Sequence, residues 1–113
     1  EIFEGPVIAT HQNCRAITPG ERQFPDHQIK SVIERGGVIG HSMDTYMLWS
    51  KEIDWSNIPP ASPFPKDEVT LDNYVDHIDY VCQLAGNSLH AAIGGDTDGQ
   101  GGMIGAPCGP RRP

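Results

Sequence analysis

The stretch "PVIATHQNCRAITPGERQFPDHQIKSVIERGGVIGHS", residues 6–42, determines the fold class because it predicts a strand, a helix and a second strand in succession. Its first six residues form a short apolar run rich in β-branched side chains, which is typical of a buried strand. A Pro-Asp pair and a Gly-Gly pair mark the start and end of the helix, and Ile29, Val32 and Ile33 share one face of it. "GVIGHS" is then expected to be the second buried strand.

The stretch "TLDNYVDHIDYVCQLAGNSLHAAIGGD", residues 70–96, predicts the strongest helix of the chain and a third strand. Thr70 is a candidate N-cap, and Gly86-Asn87 supplies the stop. The predicted apolar face contains Leu71, Tyr74, Val75, Ile78, Val81, Cys82 and Ala85. His77 lies off this face and is expected to be solvated, as is His27 in the first helix. The proline-rich residues 43–69 are expected to be irregular.

Strands alternating with helices, with apolar runs rather than period-two alternation, predict an α/β fold with a parallel sheet covered by helices. Each predicted strand ends in a polar residue: His11, His41-Ser42 and Asp96. In parallel α/β folds, the carboxyl ends of the strands are where ligands bind and chemistry occurs. These residues are therefore the first candidates for a functional site.

The composition excludes several classes of function. The chain has 113 residues, a formal net charge of -7 and scattered basic residues, which argues against nucleic acid as a partner. It contains no apolar run of 18 residues, and its start does not resemble a secretion signal, so no membrane span is expected. Three widely spaced cysteines are not a disulfide framework and favour a reducing compartment.

The last residues, 100–113, are rich in glycine and proline and are expected to form an irregular or disordered tail. "GQGGMIG" has the glycines of a dinucleotide-binding loop, but "APCGPRRP" cannot continue as the helix that such a loop requires. "DTDG" has the carboxylates of a calcium loop but lacks the closing glutamate of an EF-hand. Neither pattern is a strong indication of ligand binding.

Four motifs in order, "GPVIATHQNCRA", "GERQFPDHQIKSVIERGGVIG", "VDHIDYVCQLAGN" and "AAIGGDTDG", resemble the C-terminal part of the membrane dipeptidase (renal dipeptidase) family of zinc peptidases. The resemblance covers about residues 5–99 and is closest to bacterial members. It implies a (β/α)₈ TIM barrel with two zinc ions that hydrolyses dipeptides. The three strands would correspond to the sixth, seventh and eighth of the barrel, with residues 1–99 as the barrel portion.

The resemblance also implies roles for single residues. His11, closing "VIATH", matches a zinc ligand, and Arg22, in "ERQFPD", matches an arginine that binds the substrate carboxylate. Asp96, the first aspartate of "GGDTDG", matches an active-site aspartate that either transfers a proton or holds the substrate amino group. Tyr46 and Asp44 follow the second strand and are candidates for lining the substrate pocket. The family places no metal ligand at the position of His41.

The family's other metal ligands, an early His-x-Asp, a bridging glutamate and a further histidine, match no position in this sequence and are expected upstream of Glu1. Two hypotheses follow. The chain is part of a zinc dipeptidase, or it is a non-catalytic barrel portion that self-associates or completes its site with another chain, because exposed strand edges favour pairing. The free cysteines and bacterial-like motifs lead us to expect a cytoplasmic protein.

Overall fold

A three-stranded parallel sheet and three helices make up the part of the chain that the computed structural model describes, residues 3–49 and 69–95. The elements in chain order are β1 (Ile8–Thr10), α1 (Asp26–Glu34), β2 (Val38–Ser42), α2 (Thr45–Leu48), α3 (Leu71–Ala85) and β3 (Ala91–Gly95). The three strands lie in the order β1-β2-β3, so the predicted α/β fold with a parallel sheet is confirmed. The last residues, 96–113, fall outside the described part, as does the expected tail.

The sheet presents one face to the helices. Ala9, Ile39 and Ala91 are paired across the three strands and therefore point to the same side. All three pack in the main hydrophobic core, in which Ile29 of α1 and Val81 of α3 are fully buried. The core thus lies between this face and the two long helices, and the predicted apolar face of α1 is confirmed.

A bulge at Gly94 shifts the register of the pairing between β2 and β3. The pairing of His41 with Ile93 is followed by that of Ser42 with Gly95, so Gly94 is the extra residue. A Cβ atom at Gly94 would lie 2.5 Å from the His41 carbonyl oxygen, which only glycine avoids. Beyond the bulge, the Met43 backbone N–H donates to the Gly95 carbonyl at 2.8 Å, which extends β2 toward α2.

The buried face of α3 differs from the predicted one. Leu71 and Val75 are 52% and 53% exposed, whereas His77, predicted to be solvated, has no exposed surface. Tyr74, His77 and Val81 form the buried stripe at the helical spacing of three and four residues. The prediction was wrong because it counted histidine as a surface residue, while both ring nitrogens of His77 have hydrogen-bond partners inside the protein.

The ends of α3 agree with the sequence signals. Thr70 and Asn73 form a reciprocal capping box, in which the Thr70 backbone N–H donates to Asn73 Oδ1 at 2.8 Å. Gly86 follows the helix with a φ of 75°, a left-handed conformation that favours glycine. The predicted irregular stretch 43–69 begins with the single helical turn α2, so that prediction was too broad; residues 50–68 lie outside the described part.

Candidate functional site

The candidate zinc ligand His11 follows directly after β1, at the carboxyl end of the strand. Its φ is 57°, the left-handed region that a residue with a Cβ atom seldom adopts. The next residue, Gln12, still donates its backbone N–H to Gly40 of β2 at 3.2 Å, so the strand end is held on both sides of the unusual residue. The side chain of His11 is half-buried and remains accessible from solvent.

A closed loop carries Arg22. The backbone of Cys14 and Phe24 forms a parallel bridge, with the Phe24 N–H donating to Asn13 at 2.9 Å. At the tip of the loop, the Gln23 N–H donates to the Gly20 carbonyl at 3.2 Å and closes a β-turn. Arg22 is the third residue of this turn and is exposed. The two ends of the loop, at Cys14 and Phe24, are therefore adjacent in space, with His11 just before the loop and Arg22 at its tip.

One buried backbone carbonyl, that of Met47 in α2, joins the three segments that carry candidate residues. It accepts a hydrogen bond from Asn13 Nδ2 at 3.1 Å and another from Gln23 Nε2 at 2.8 Å. Asn13 lies two residues after His11, Gln23 lies one after Arg22, and Met47 lies one after Tyr46. The backbone positions of the three candidates are therefore fixed relative to one another by buried hydrogen bonds.

Asn13 also ties β1 to β2. Its Oδ1 accepts from the Ser42 backbone N–H at 2.9 Å, and its Nδ2 donates to the Ser42 carbonyl at 3.0 Å. These two bonds continue the strand pairing through a side chain where the backbone ladder has ended. With the bond to Met47, Asn13 uses both donor hydrogens and one acceptor in a fully buried position.

Replacing Asn13 with alanine is expected to lower the free energy of unfolding by about 2–3 kcal/mol, because the Ser42 N–H, the Ser42 carbonyl and the Met47 carbonyl would each lose one buried hydrogen bond. Urea unfolding of the two proteins measures the change. Asn87→Ala is the matched control, since Asn87 is exposed and its side chain contacts only neighbouring residues. Equal losses for the two variants would contradict the role assigned to Asn13.

His77 of α3 forms hydrogen bonds with two residues of the segment that follows His11, Cys14 and Thr18. The Cys14 backbone N–H donates to His77 Nδ1 at 3.0 Å, so that nitrogen accepts and the ring proton lies on Nε2, 3.2 Å from Thr18 Oγ1. Burial, together with the nearby His41, lowers the pKa of His77 to about 4. Burial also raises the pKa of the Cys14 thiol to about 12, with Asp26 adding to the effect, so Cys14 is an inert core residue.

His41 is fully buried on the helix-facing side of the sheet rather than open to substrate. Its ring centroid lies 6.5 Å from that of His77. Neither of its ring nitrogens has a hydrogen-bond partner within residues 3–49 and 69–95. Burial lowers the pKa of His41 to about 4. The neutral form is thus the one compatible with the fold.

The two other predicted site residues can be placed only in part. Tyr46 lies in α2, but the direction of its side chain is not described. Asp96 follows the last residue of β3 and lies outside the described residues, as do Asp98 and Cys108. His27 is exposed on α1, as predicted. Within the described ranges the two other cysteines, Cys14 and Cys82, are free thiols.

His11 meets the requirements for one zinc ligand but not for a whole site. Its imidazole is half-buried at a strand end, where the backbone on both sides is fixed, and imidazole is a preferred ligand of zinc. A catalytic zinc needs about three protein ligands. The described residues contain no group of three or more histidines, cysteines or carboxylates able to hold a metal ion. Any zinc at His11 would therefore take its other ligands from outside the residues that the structure describes.

Sequence patterns did not reveal Asn13, Gln23 or His77 as parts of this arrangement. Asn13 and Gln23 donate to distant backbone carbonyls, and such pairs have no characteristic spacing. His77 could have been found from its position between Tyr74 and Val81, where a helical period of 3.6 turns it toward the core.

A family model described as membrane dipeptidase (peptidase family M19) matches residues 1–106. The chain belongs to this family. Among similar proteins, an uncharacterized protein in the pqqA 5' region of Klebsiella pneumoniae is 32% identical over 94 residues, which cover 83% of this chain and 30% of that protein. Dipeptidase tcpJ of Claviceps purpurea is 29% identical over 99 residues, which cover 88% of this chain and 20% of that protein. The chain thus spans less than a third of either relative.

Crystal structures of metallopeptidases share the fold. Dipeptidase AC, a metallopeptidase of family M19, superimposes with a TM-score of 0.62 at 23% identity, over 91% of this chain and 26% of that one. A metallopeptidase from Rhodobacter sphaeroides was solved with a phosphinate mimic of the dipeptide L-Ala-D-Ala. It superimposes with a TM-score of 0.61 at 23% identity, over 91% of this chain and 25% of that one. The described strands and helices therefore have the arrangement found in part of a dipeptidase.

No helix within residues 3–49 and 69–95 combines the length and apolar character needed to span a membrane.

Proposed function

We propose that this chain is part of a zinc-dependent dipeptidase and forms the C-terminal portion of its (β/α)₈ barrel. In this proposal β1, β2 and β3 are the sixth, seventh and eighth barrel strands, residues 1–99 belong to the barrel, and residues 100–113 are a tail. The family supplies the reaction class, peptide hydrolysis by metallopeptidases. The relatives are several times longer than this chain, which leaves room for the other five strands.

The observation that carries the proposal is the joining of three segments at one buried carbonyl. The Met47 carbonyl accepts hydrogen bonds from Asn13 and Gln23. His11, Arg22 and Tyr46 each lie within two residues of Asn13, Gln23 or Met47, although they come from separate segments of the chain. This supports a common site, because the backbone of His11 and that of Arg22 are held near the carboxyl end of the sheet, where barrel enzymes carry out their chemistry. A dipeptidase needs both side chains, because it must recognise the substrate terminus close to the scissile bond.

Each candidate residue has a distinct role. His11 holds one zinc through a neutral imidazole. A bound zinc supplies an activated water molecule near neutral pH. Arg22 binds the substrate carboxylate through two parallel hydrogen bonds and so positions the dipeptide. Asp96 accepts and returns a proton or holds the substrate amino group, and Tyr46 lines the pocket. The substrate is a dipeptide with a free carboxylate.

The ligands that complete a binuclear zinc site come from chain outside residues 1–113 or from a second chain. β1 and β3 are the outer strands of the described sheet, and outer strand edges favour such pairing; Ile8 and Ile93 on these strands are also 76% and 73% exposed. The same observation favours the alternative hypothesis, a non-catalytic portion that associates with copies of itself. Sedimentation analysis measures this association, and zinc content separates the two hypotheses. The free thiols of Cys14 and Cys82 accord with a cytoplasmic location, which stays a proposal.

The test compares the 113-residue chain with the complete protein that contains it. We expect the complete protein to retain about two zinc ions and to hydrolyse dipeptides but not dipeptide amides, which lack the carboxylate for Arg22. We expect the 113-residue chain alone to retain no zinc and to show no turnover. Two tightly held zinc ions and turnover in the short chain would contradict the need for further ligands. A zinc-loaded complete protein without dipeptide hydrolysis would contradict the assigned reaction.

A further inference from the structure

Arg15 makes three hydrogen bonds to the turn that carries Arg22. Its Nε donates to the carbonyls of Gly20 at 3.0 Å and Gln23 at 3.1 Å, and its Nη2 donates to that of Glu21 at 2.9 Å. The turn consists of residues 20–23, closed by the bond from the Gln23 N–H to the Gly20 carbonyl. Arg15 therefore bonds to every carbonyl of the turn except that of Arg22 itself.

From this arrangement we infer that Arg15 is a positioning residue that sets the affinity for the substrate carboxylate by fixing the backbone on both sides of Arg22. The inference rests on the proposed function, in which Arg22 binds that carboxylate. A planar guanidinium has several donors in a rigid fork, so one side chain spans three carbonyls that point toward a common centre. A lysine ammonium would be a single point of charge and could not reproduce this geometry.

Arg15 is suited to a supporting role rather than to direct binding. Two of its three nitrogens are engaged by the turn, and its backbone N–H donates to Phe24 at the base of the loop. Without these bonds the exposed turn would sample several conformations, and only a fraction would present Arg22 to the carboxylate. The apparent affinity for the substrate falls to that fraction of its original value, while the chemistry of a correctly bound substrate is unchanged.

The test uses steady-state kinetics of the complete protein with a dipeptide. Arg15→Ala is expected to raise KM about tenfold with little change in kcat, and Arg15→Lys is expected to resemble Arg15→Ala. In a protein that already carries Arg22→Ala, the further change Arg15→Ala is expected to alter kcat/KM by less than about twofold, because its effect acts through Arg22. Lys30→Ala is the control, since it removes an exposed positive charge from α1 without touching the loop.

The outcomes separate this inference from the function on which it rests. If Arg22→Ala weakens dipeptide hydrolysis but Arg15→Ala has an equal effect in both backgrounds, Arg15 does not act through Arg22 and the inference is wrong. If Arg15→Lys retains the original KM, charge alone suffices and the inference is again wrong. If Arg22→Ala leaves KM unchanged, the proposed carboxylate-binding role fails, and the inference fails with it. Failure of Arg15→Ala to fold would leave Arg15→Lys to decide between these outcomes.

Discussion

Replacing His11 with glycine is expected to abolish zinc binding at its position and most dipeptide hydrolysis, while the metal-free protein stays as stable as before or becomes more stable. The reason for the first effect is the loss of a metal ligand from the strand end. Changes to groups that merely support a metal ligand cost about 10–100-fold in affinity or activity, so loss of the ligand is expected to cost at least about 100-fold.

The reason for the second effect is the φ of 57° at His11. Residues with a Cβ atom pay about 1 kcal/mol or more to occupy this region, which glycine enters freely. A residue retained for stability would not be expected there. We expect His11→Gly to raise or preserve the melting temperature of the metal-free protein, and to lower the zinc content of the metal-loaded protein by one ion. Both results together would mean that the strained backbone is kept for metal binding and not for stability.

His11→Asn is the matched control. Asparagine tolerates the left-handed conformation better than most residues and keeps a polar side chain, but it does not replace an imidazole as a zinc ligand. We expect it to lose zinc as His11→Gly does and to change stability little. Zinc measured by atomic absorption after dialysis and a thermal melt in the presence of a chelator provide the two readings. Retention of both zinc ions in His11→Gly would refute the ligand role.

The sequence was sufficient for those parts of the fold that depend on local patterns. The apolar runs of β1 and β2, the face of α1 around Ile29 and Val32, and the helix signals at Thr70 and Gly86 all act within a few residues. They also determine that the sheet is parallel, because each strand is separated from the next by a helix. The same apolar run placed His11 at a strand end, where the structure has it, and the resemblance added the role of zinc ligand.

The sequence was insufficient where long-range hydrogen bonds decide the structure. His77 is 63 residues from Cys14, and only the packed fold reveals that its Nδ1 accepts the Cys14 N–H. Hydropathy alone predicted that Val75 is buried and His77 exposed, whereas His77 is fully buried and Val75 is exposed. No sequence pattern singled out Arg15, because its three acceptors are backbone carbonyls, and such pairs have no characteristic spacing.

The two buried histidines are expected to make the protein unstable to mild acid. The pKa of each is lowered to about 4 in the fold, against an ordinary value of 6.5. Between these values the unfolded chain binds protons that the folded chain does not, so stability is complete above pH 6.5 and falls as the pH drops toward 4. Each histidine contributes a loss of about 3 kcal/mol by pH 4, a large part of the stability of a small domain.

The slope of unfolding free energy against pH measures this effect directly. Near pH 5, His41 and His77 together give an uptake of about two protons on unfolding, beyond that of the carboxylates. His77→Asn keeps an amide oxygen that can accept the Cys14 N–H but does not titrate, so we expect lower stability at pH 7 and an uptake reduced by about one proton. His27→Asn, on the exposed surface of α1, is the matched control and is expected to leave the slope unchanged. If His77→Asn has the same slope as the unmodified protein, His77 is not the neutral, buried group that the hydrogen bonds to Cys14 and Thr18 require.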